Sequence, residues 1–446
     1  MASNVILIFG DQWRAQSFGY AGNTCVQTPH IDRLASQSIN ATHAVSGCSV
    51  CCPARASLLT GQYPLTHGVF VNDVHLSDRA VSLAQAFKNA GYDTAYVGKW
   101  HVNANGRSNY IPPENRQGFD YWKVLECTHS YNNSFYYAND SDEKLTWEGY
   151  DAIAQTRDVQ EYIQNHNSDN PFLLVLSWGP PHAPYETAPE KYRAMYRPED
   201  VPLRENVPPE SEANAREWIA GYYAHCTALD DCMGDLLQSL DDKGIADDTL
   251  LLFFSDHGDM LGSQGSAKKQ QPWEESIRIP FLLRWPAQFG LEGREISDPI
   301  DIPDIMPTLL GLCGIDVPDT VEGLDFSDYL MGGESPSDGA ALLQCPQPFG
   351  QWTRDRGGRE YRGLRTGQYT YVRSLDGPWL LYDNEADPFQ LSNLINDPEC
   401  ADLCSELDAW LQRRLDEGGD DFLPGADYVR QWGYTVNESG TVPYTN

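Results

Sequence analysis

Four apolar segments, each ending in a polar cluster, constrain the fold of this 446-residue chain more than any other feature. They are residues 5–9, 94–97, 172–176 and 249–254, followed by Gly-Asp-Gln, Gly-Lys-Trp-His, Ser and Ser-Asp-His. Continuous apolar runs of this length are typical of parallel strands buried on both faces, and stretches with helical periodicity lie between them. The pattern predicts an α/β fold whose polar clusters meet at the carboxyl edge of one sheet, where open α/β sheets bind ligands.

The C-terminal part of the chain has a different pattern. Residues 331–339 are rich in Gly and Ser and predict a linker. Short strand-like segments joined by turns follow, at 361–365, 369–374 and 379–382, and a helical segment covers 399–415. We therefore predict a larger α/β domain over residues 1–335 and a smaller antiparallel α+β subdomain over residues 336–446.

The charge of the chain restricts its partners. A formal net charge of −33 argues against nucleic acid, because such partners need clustered Lys and Arg. If the substrate is an anion, the cations near the site must overcome a repelling overall field. Interior Lys and Arg residues and a bound metal are therefore the groups expected to attract it.

The sequence indicates no membrane partner and no signal peptide. No apolar stretch approaches the roughly 20 residues that a spanning helix needs. The N-terminus, Met-Ala-Ser-Asn-Val-Ile-Leu-Ile-Phe, lacks a basic region and a cleavage site, so it predicts a buried strand. On its face this indicates a cytoplasmic protein, whereas a periplasmic or secreted location would require a leader that is removed. Eleven cysteines without framework spacing also fit a reduced compartment.

The segment 51–61, Cys-Cys-Pro-Ala-Arg-Ala-Ser-Leu-Leu-Thr-Gly, carries the most specific motif. It fits C-x-P-x-R followed by Thr-Gly, with Cys51 two residues before Pro53 and four before Arg55. Alternatives from the residues alone are a cluster of buried thiols, or half of a zinc site formed by Cys48 and Cys51.

This segment resembles the signature of the formylglycine-dependent sulfatases of the alkaline phosphatase superfamily. The resemblance implies that a dedicated maturation enzyme oxidises Cys51 to formylglycine, and that the product hydrolyses a sulfate ester to alcohol and inorganic sulfate. It also implies a large, mostly parallel mixed sheet between helices. The chemistry favours a hydrated aldehyde, because one hydroxyl attacks sulfur and the second later expels sulfate.

The resemblance also implies a divalent cation at two strand ends. Asp11, Gln12, Asp256 and His257 would hold Ca²⁺, or Mg²⁺ or another divalent metal, together with the group made from Cys51. Gln12 stands where the family often has a second Asp, and His257 where it often has Asn, which weakens the case for calcium over a transition metal. The alternative is that these residues are helix caps and turns after strands.

Catalytic cations follow from the same resemblance. His182 and Lys269 would contact the bridging oxygen and protonate the leaving alcohol, while His101 would accept a proton when the hemiacetal collapses. Arg55 and Lys99 would orient the hydrate and the sulfate. Because Lys268 precedes Lys269, the register of the catalytic lysine stays open by one residue.

A sulfated saccharide is the expected substrate, because many similar sulfatases act on carbohydrates. We expect specificity from loops near 102–145 and from the C-terminal segment, including Trp352 and Arg354. One alternative is a formylglycine-dependent phosphonate monoester or phosphodiester hydrolase, because Asp11-Gln12-Trp13-Arg14 also resembles those enzymes, although Lys99 and His101 argue against it. A further alternative is an inactive carbohydrate-binding homologue.

Overall fold

The computed structural model describes residues 4–446. Its strands are β1 (Asn4–Asp11), β2 (Ile39–Ala41), β3 (Asp93–Lys99), β4 (Tyr121–Leu125), β5 (Phe135–Ala138), β6 (Leu145–Thr146), β7 (Phe172–Pro181), β8 (Thr249–Ser255), β9 (Phe281–Arg284), β10 (Arg294–Ile296), β11 (Ala340–Cys345), β12 (Tyr361–Thr366), β13 (Tyr369–Ser374) and β14 (Gly377–Asp383). Its α-helices are α1 (Pro29–Ala35), α2 (Cys51–Thr60), α3 (Pro64–His67), α4 (Leu83–Asn89), α5 (Asp151–Asn165), α6 (Glu190–Arg193), α7 (Glu212–Lys243), α8 (Glu274–Ile277), α9 (Pro286–Phe289), α10 (Ile302–Leu312), α11 (Ser327–Leu330), α12 (Ala401–Glu417) and α13 (Gly425–Gln431).

The first ten strands form one mixed sheet in the order β10-β2-β9-β8-β1-β7-β3-β4-β5-β6. Its centre is parallel, because β1 pairs in parallel with both β7 and β8, and β3 pairs in parallel with both β7 and β4. All four apolar segments of the sequence are neighbouring central strands. The predicted α/β class is confirmed.

Helices cover both faces of this sheet. Along β1, Val5, Leu7 and Phe9 pack into the core under α2, α4 and α10, whereas Ile6 and Ile8 pack under α1, α5 and α7. This alternation follows from the two-residue period of a strand. Because both faces are covered, each position of the strand must be apolar, which explains the continuous runs in the sequence.

A second sheet lies in the C-terminal part, with antiparallel strands in the order β11-β12-β13-β14. The three strand-like segments predicted there are β12, β13 and β14, and the predicted helix is α12. Strand β11 was not predicted. Its sequence, Ala-Ala-Leu-Leu-Gln-Cys, shows no alternation of polar and apolar residues and directly follows the segment predicted as a linker. The position of the domain boundary at residue 335 stays a prediction.

Two further properties bear on the environment of the chain. No helix within residues 4–446 is both long and apolar enough to cross a bilayer. All eleven cysteines are unpaired thiols.

Candidate active site

The carboxyl ends of the central strands build one polar site. Asp11 ends β1, Lys99 ends β3, His182 directly follows β7, and Asp256 directly follows β8. These strands are neighbours in the sheet, and all four side chains are buried. Residues separated by up to 245 positions (256 − 11) therefore lie together at one sheet edge.

Gly98 shapes the approach of β3 to β7 at this edge. Its φ is +107°, and a Cβ atom at this position would lie 2.1 Å from the carbonyl oxygen of Ser177. Only glycine tolerates both the positive φ and the lack of space for a Cβ atom. The next residue of β3 is Lys99, whose ammonium lies 2.6 Å from a carboxylate oxygen of Asp11.

Cys51 is the first residue of α2, after Val50 in an extended conformation. The helix ends at Gly61, whose φ of +65° is a common helix terminus, and all ten residues of the helix are buried. The Cys51 sulfur lies 3.2 Å from His257 Nε2, 3.3 Å from Lys269 Nζ and 3.5 Å from Asp11 Oδ1.

The surroundings of Cys51 favour negative charge. Burial and the Asp11 carboxylate raise the pKa of the Cys51 thiol, but Lys269, Lys99 and His257 outweigh them and hold it well below its usual value. The positive end of the helix dipole, at the start of α2, acts in the same direction. The site therefore stabilises an anionic group at this position.

Arg55 lies one helical turn after Cys51, which places both side chains on the same face of α2. It donates hydrogen bonds to the Lys99 carbonyl (2.8 Å), to Ser177 Oγ (2.7 Å) and to Asp11 Oδ2 (3.0 Å). The four-residue spacing in C-x-P-x-R thus places a guanidinium against the ends of β1 and β3 and against Ser177 of β7.

Four buried groups could share a cation. The ligand atoms of Asp11, Cys51, Asp256 and His257 all lie within 4.8 Å of one another. His257 Nδ1 lies 2.9 Å from the Gly258 carbonyl, to which it donates a hydrogen bond, so Nε2 is the ring nitrogen that faces the cluster.

Electrostatics support a cation at this cluster. Burial and the nearby Asp11 carboxylate raise the pKa of Asp256 to about 6, since two buried carboxylates repel each other. Asp256 Oδ2 lies 3.1 Å from Arg55 but has no aligned hydrogen-bond donor. A divalent ion would satisfy this oxygen and relieve the repulsion, so the residues fit such an ion.

Gln12 also faces the cluster. It has a positive φ of 70°, and its backbone N–H donates to Asp256 Oδ1 at 2.9 Å. Its amide nitrogen donates to Asp259, which leaves the amide oxygen 2.7 Å from the Lys269 ammonium. An amide oxygen is a suitable ligand for a hard cation.

Lys269 and His182 form a pair beside Cys51. His182 Nδ1 lies 2.7 Å from the Ala183 carbonyl, so its Nε2 accepts a hydrogen bond from Lys269 Nζ at 2.8 Å. Burial and the Lys269 charge hold the pKa of His182 well below its usual value. The imidazole of His129 stacks on that of His182, with centroids 4.7 Å apart. Lys269, rather than Lys268, contacts the sulfur of Cys51.

A cavity of about 210 Å³ opens above Cys51. It is lined by Cys51, Asn72, Asp73, Lys99, His101, Arg107, His129, His182, Lys268, Lys269, Phe349, Gly350, Gln351, Thr441 and Tyr444. His101 is buried, with a positive φ of 61°, and its Nε2 lies 3.6 Å from Asp73 Oδ1. Arg107 binds the same carboxylate through two hydrogen bonds and packs on the Tyr444 ring.

The structure does not bring Trp352 and Arg354 to this cavity. Trp352 is buried against the aromatic rings of Tyr361 and Trp379. Arg354 forms an ion pair with Glu360 and is about half exposed. Substrate contact by either residue stays a prediction, while residues 349–351 of the same segment do line the cavity.

Sequence reasoning did not single out Asp73, Arg107, His129 or Tyr444, although Arg107 and His129 lie in the 102–145 region expected to contribute to specificity. His129 follows β4 at the same sheet edge, so the strand-end argument that located Lys99 would also have located His129. Asp73, Arg107 and Tyr444 lie in loops without a motif, and their convergence depends on tertiary packing alone.

The fold and the site define a hydrolase of the alkaline phosphatase superfamily, with buried Cys51 beside an acidic cluster that could hold a metal ion. Comparison with known proteins specifies the family. The family described as sulfatase matches residues 3–315, and the one described as the C-terminal region of N-sulphoglucosamine sulphohydrolase matches residues 262–417. The chain therefore belongs to the sulfatase family, and it is a sulfuric ester hydrolase.

Similar proteins cover the whole chain. An ulvan-active sulfatase of Formosa agariphila is 44% identical, over 99% of this chain and 86% of the relative. An endo-4-O-sulfatase of Bacteroides thetaiotaomicron is 30% identical, over 88% of this chain and 87% of the relative. The crystal structure of a phosphonate monoester hydrolase of Agrobacterium radiobacter is 25% identical with a TM-score of 0.76, over 93% of this chain and 96% of that one.

Proposed function

We propose that this sulfatase removes sulfate from a carbohydrate, using formylglycine made from Cys51 by a maturation enzyme. The observation that carries the proposal is the position of Cys51 Sγ, 3.3 Å from Lys269 and 3.2 Å from His257 within the acidic cluster. The saccharide substrate is supported by the relative that is active on the polysaccharide ulvan.

The proposed reaction has two steps. In the first, one hydroxyl of the formylglycine hydrate releases its proton to solvent and its oxygen bonds to sulfur, while the bond from sulfur to the alcohol oxygen breaks and that oxygen takes a proton from Lys269. In the second, the other hydroxyl loses its proton, the carbon–oxygen bond to sulfate breaks, and the aldehyde forms again. Water then restores the hydrate. With serine at this position the reaction would stop after the first step, because the carbon carries no second hydroxyl that could expel the sulfate.

Asp11, Gln12, Asp256 and His257 are the residues that would hold the divalent cation. Such an ion supplies positive charge that acidifies the attacking hydroxyl and offsets the charge of the sulfate. The oxygen ligands favour Ca²⁺ or Mg²⁺, and the imidazole of His257 would also accept a transition metal.

The remaining side chains are proposed to move protons and bind the sulfate. Lys269 donates to His182 in the structure, so its ammonium is placed to protonate the leaving alcohol oxygen while the neutral His182 stays an acceptor. His101 is the proposed base for the second step. Lys99 and Arg55 would bind the sulfate and orient the hydrate.

Hydrolysis of phosphonate monoesters or phosphodiesters is a second candidate. It is supported by the solved hydrolase that shares this fold and by the Asp11-Gln12-Trp13-Arg14 segment. A sulfate ester is the favoured substrate because Lys99 and His101 line the cavity, whereas phosphonate monoester and phosphodiester hydrolases tend to carry neutral residues at these positions. An inactive carbohydrate-binding homologue would bind saccharides without releasing sulfate.

One experiment separates these candidates. The chain is produced with and without a formylglycine-generating enzyme, and the peptide containing Cys51 is measured by mass spectrometry. We expect aldehyde at Cys51 in the co-produced sample, and sulfate release from sulfated oligosaccharides in proportion to conversion. Faster turnover of phosphonate monoesters or phosphodiesters than of every sulfate ester would replace the proposal by the second candidate.

A further inference from the structure

Lys268 and Lys269 are consecutive, yet both line the Cys51 cavity. Neighbouring side chains of an extended segment point to opposite sides, so this arrangement needs an unusual backbone. Lys268 has a φ of +65°, in the left-handed region that is unfavourable for a non-glycine residue. Two hydrogen bonds hold it there, from its N–H to Asp259 Oδ1 (3.1 Å) and from the Met260 N–H to its carbonyl (2.7 Å).

The other cations at the cavity have partners. Lys99 pairs with Asp11, and Arg107 pairs with Asp73 through two hydrogen bonds. Lys269 contacts Gln12 and His182. The Lys268 ammonium, by contrast, has no ion pair and no side-chain hydrogen bond within residues 4–446.

The position of Lys268 is unfavourable for an unpaired charge. The side chain is partly buried, and both this burial and the adjacent Lys269 lower its pKa. Negative charge between or beside the two ammonium groups would offset their repulsion. A substrate with one sulfate places its charge at Lys269 and Cys51, and leaves Lys268 unmatched.

We propose that Lys268 determines specificity by binding a second anionic group of the substrate, a carboxylate or a further sulfate near the ester that is cleaved. The inference rests on the proposed function, because Lys269 beside Cys51 defines where the reacting sulfate lies. Lys268 would select highly charged saccharides over saccharides with a single sulfate, although the protein itself has a net charge of −33.

The test uses three matched oligosaccharides that share the scissile sulfate. One has no other charge, one carries a carboxylate on the same or the next sugar, and one carries a second sulfate there. Values of kcat and KM are measured for the mature wild type, for Lys268→Gln and for Lys268→Arg. Lys191→Gln is the control, because Lys191 is exposed and pairs with Asp231 far from the cavity lining.

We expect the wild type to prefer at least one of the two dianionic substrates over the substrate with a single sulfate. The preferred substrate then shows whether Lys268 binds a carboxylate or a second sulfate. Lys268→Gln should reduce this preference about ten- to hundredfold, mainly through KM, because a hydrogen bond to a charged group is lost. Lys268→Arg should retain most of the preference, and Lys191→Gln all of it.

Equal losses on all three substrates would overturn the proposal, because they would indicate a general role for Lys268. A wild type without preference for either dianionic substrate would also overturn it, while the proposed function would stand. If the mature wild type released no sulfate from any of the three and hydrolysed only phosphonate monoesters or phosphodiesters, the proposed function would fail as well. Thermal unfolding of each variant shows whether a loss reflects misfolding.

Discussion

Buried charges are arranged in opposite ways at the two sheets. At the carboxyl edge of the large sheet, Asp11 and Asp256 approach each other, and Asp256 Oδ2 has no aligned donor. Where the small sheet meets the large one, Glu274 and Arg365 are equally buried, but they join through two hydrogen bonds of 2.7 and 3.3 Å.

The pKa values of these carboxyl groups diverge accordingly. Burial and Asp11 raise the pKa of Asp256 to about 6, whereas Arg365 overcomes the burial of Glu274 and lowers its pKa to about 2. Repulsion between buried carboxylates, which Arg55 and Lys99 offset only in part, thus marks the candidate active site, whereas a fully paired buried carboxylate marks a structural contact.

The largest effect should come from Cys51→Ser. Steady-state sulfate release should fall below about one thousandth of the wild-type rate, because the serine ester has no geminal hydroxyl to expel sulfate. Mass spectrometry should find a stable sulfate ester on the variant. Cys52→Ala is the matched control and should keep most of the activity; an aldehyde at Cys52, or full activity with a free thiol at Cys51, would contradict the assignment.

Asp256→Asn should reduce turnover at least about a thousandfold. Asp256 is one of the residues proposed to hold the divalent ion, and such an ion supplies several kcal/mol of transition-state stabilisation. The isosteric amide removes one of two repelling charges. In the presence of a chelator, the variant should therefore unfold at a temperature no lower than the wild type. Metal content and thermal unfolding, with and without chelator, test both parts; a large loss of stability would show that Asp256 is structural.

Glu274→Gln should have the opposite effects, namely a large loss of stability and little change in activity. Loss of one partner from a buried pair costs about 3–5 kcal/mol, because the Arg365 charge stays buried without its counterion. Denaturant unfolding measures this loss. Glu274 does not line the Cys51 cavity, so the kcat/KM of the folded variant should stay close to that of the wild type.

The same pair predicts a pH dependence. The folded pKa of Glu274, about 2, lies below the unfolded value of roughly 4.3, so its contribution is complete above the unfolded pKa and is lost as pH falls towards 2. Wild type should therefore lose stability relative to Glu274→Gln between about pH 4.5 and pH 2. Parallel curves for the two proteins over this range would show that the pair does not control acid unfolding.

Arg354→Ala should have the smallest effect. Its ion pair with Glu360 is about half exposed on the arginine side, and such pairs contribute about 0–1 kcal/mol. Because Arg354 does not line the cavity, kcat/KM for saccharide substrates should hardly change. A marked rise in KM would support the substrate contact predicted from the sequence.

The strand ends and the motif at Cys51 explain why so much of the site could be predicted. Asp11, Lys99 and Asp256 follow apolar runs, and parallel strands place such residues at one edge irrespective of loop structure. The register of the two lysines could not be predicted, because it depends on the left-handed backbone of Lys268. Trp352 shows a similar limit, since no local pattern indicates that its ring packs against Tyr361 and Trp379.

The packing of Gly98 limits how far this sequence can vary. Gly91 also has a positive φ, but no atom lies within 4 Å of the point where its side chain would begin, so an asparagine could take its place. At Gly98, the same substitution would drive β3 away from β7 and separate Lys99, at the end of β3, from Ser177 in β7. In a saturation library selected for activity, position 91 should therefore tolerate several residues, while position 98 should contain glycine alone.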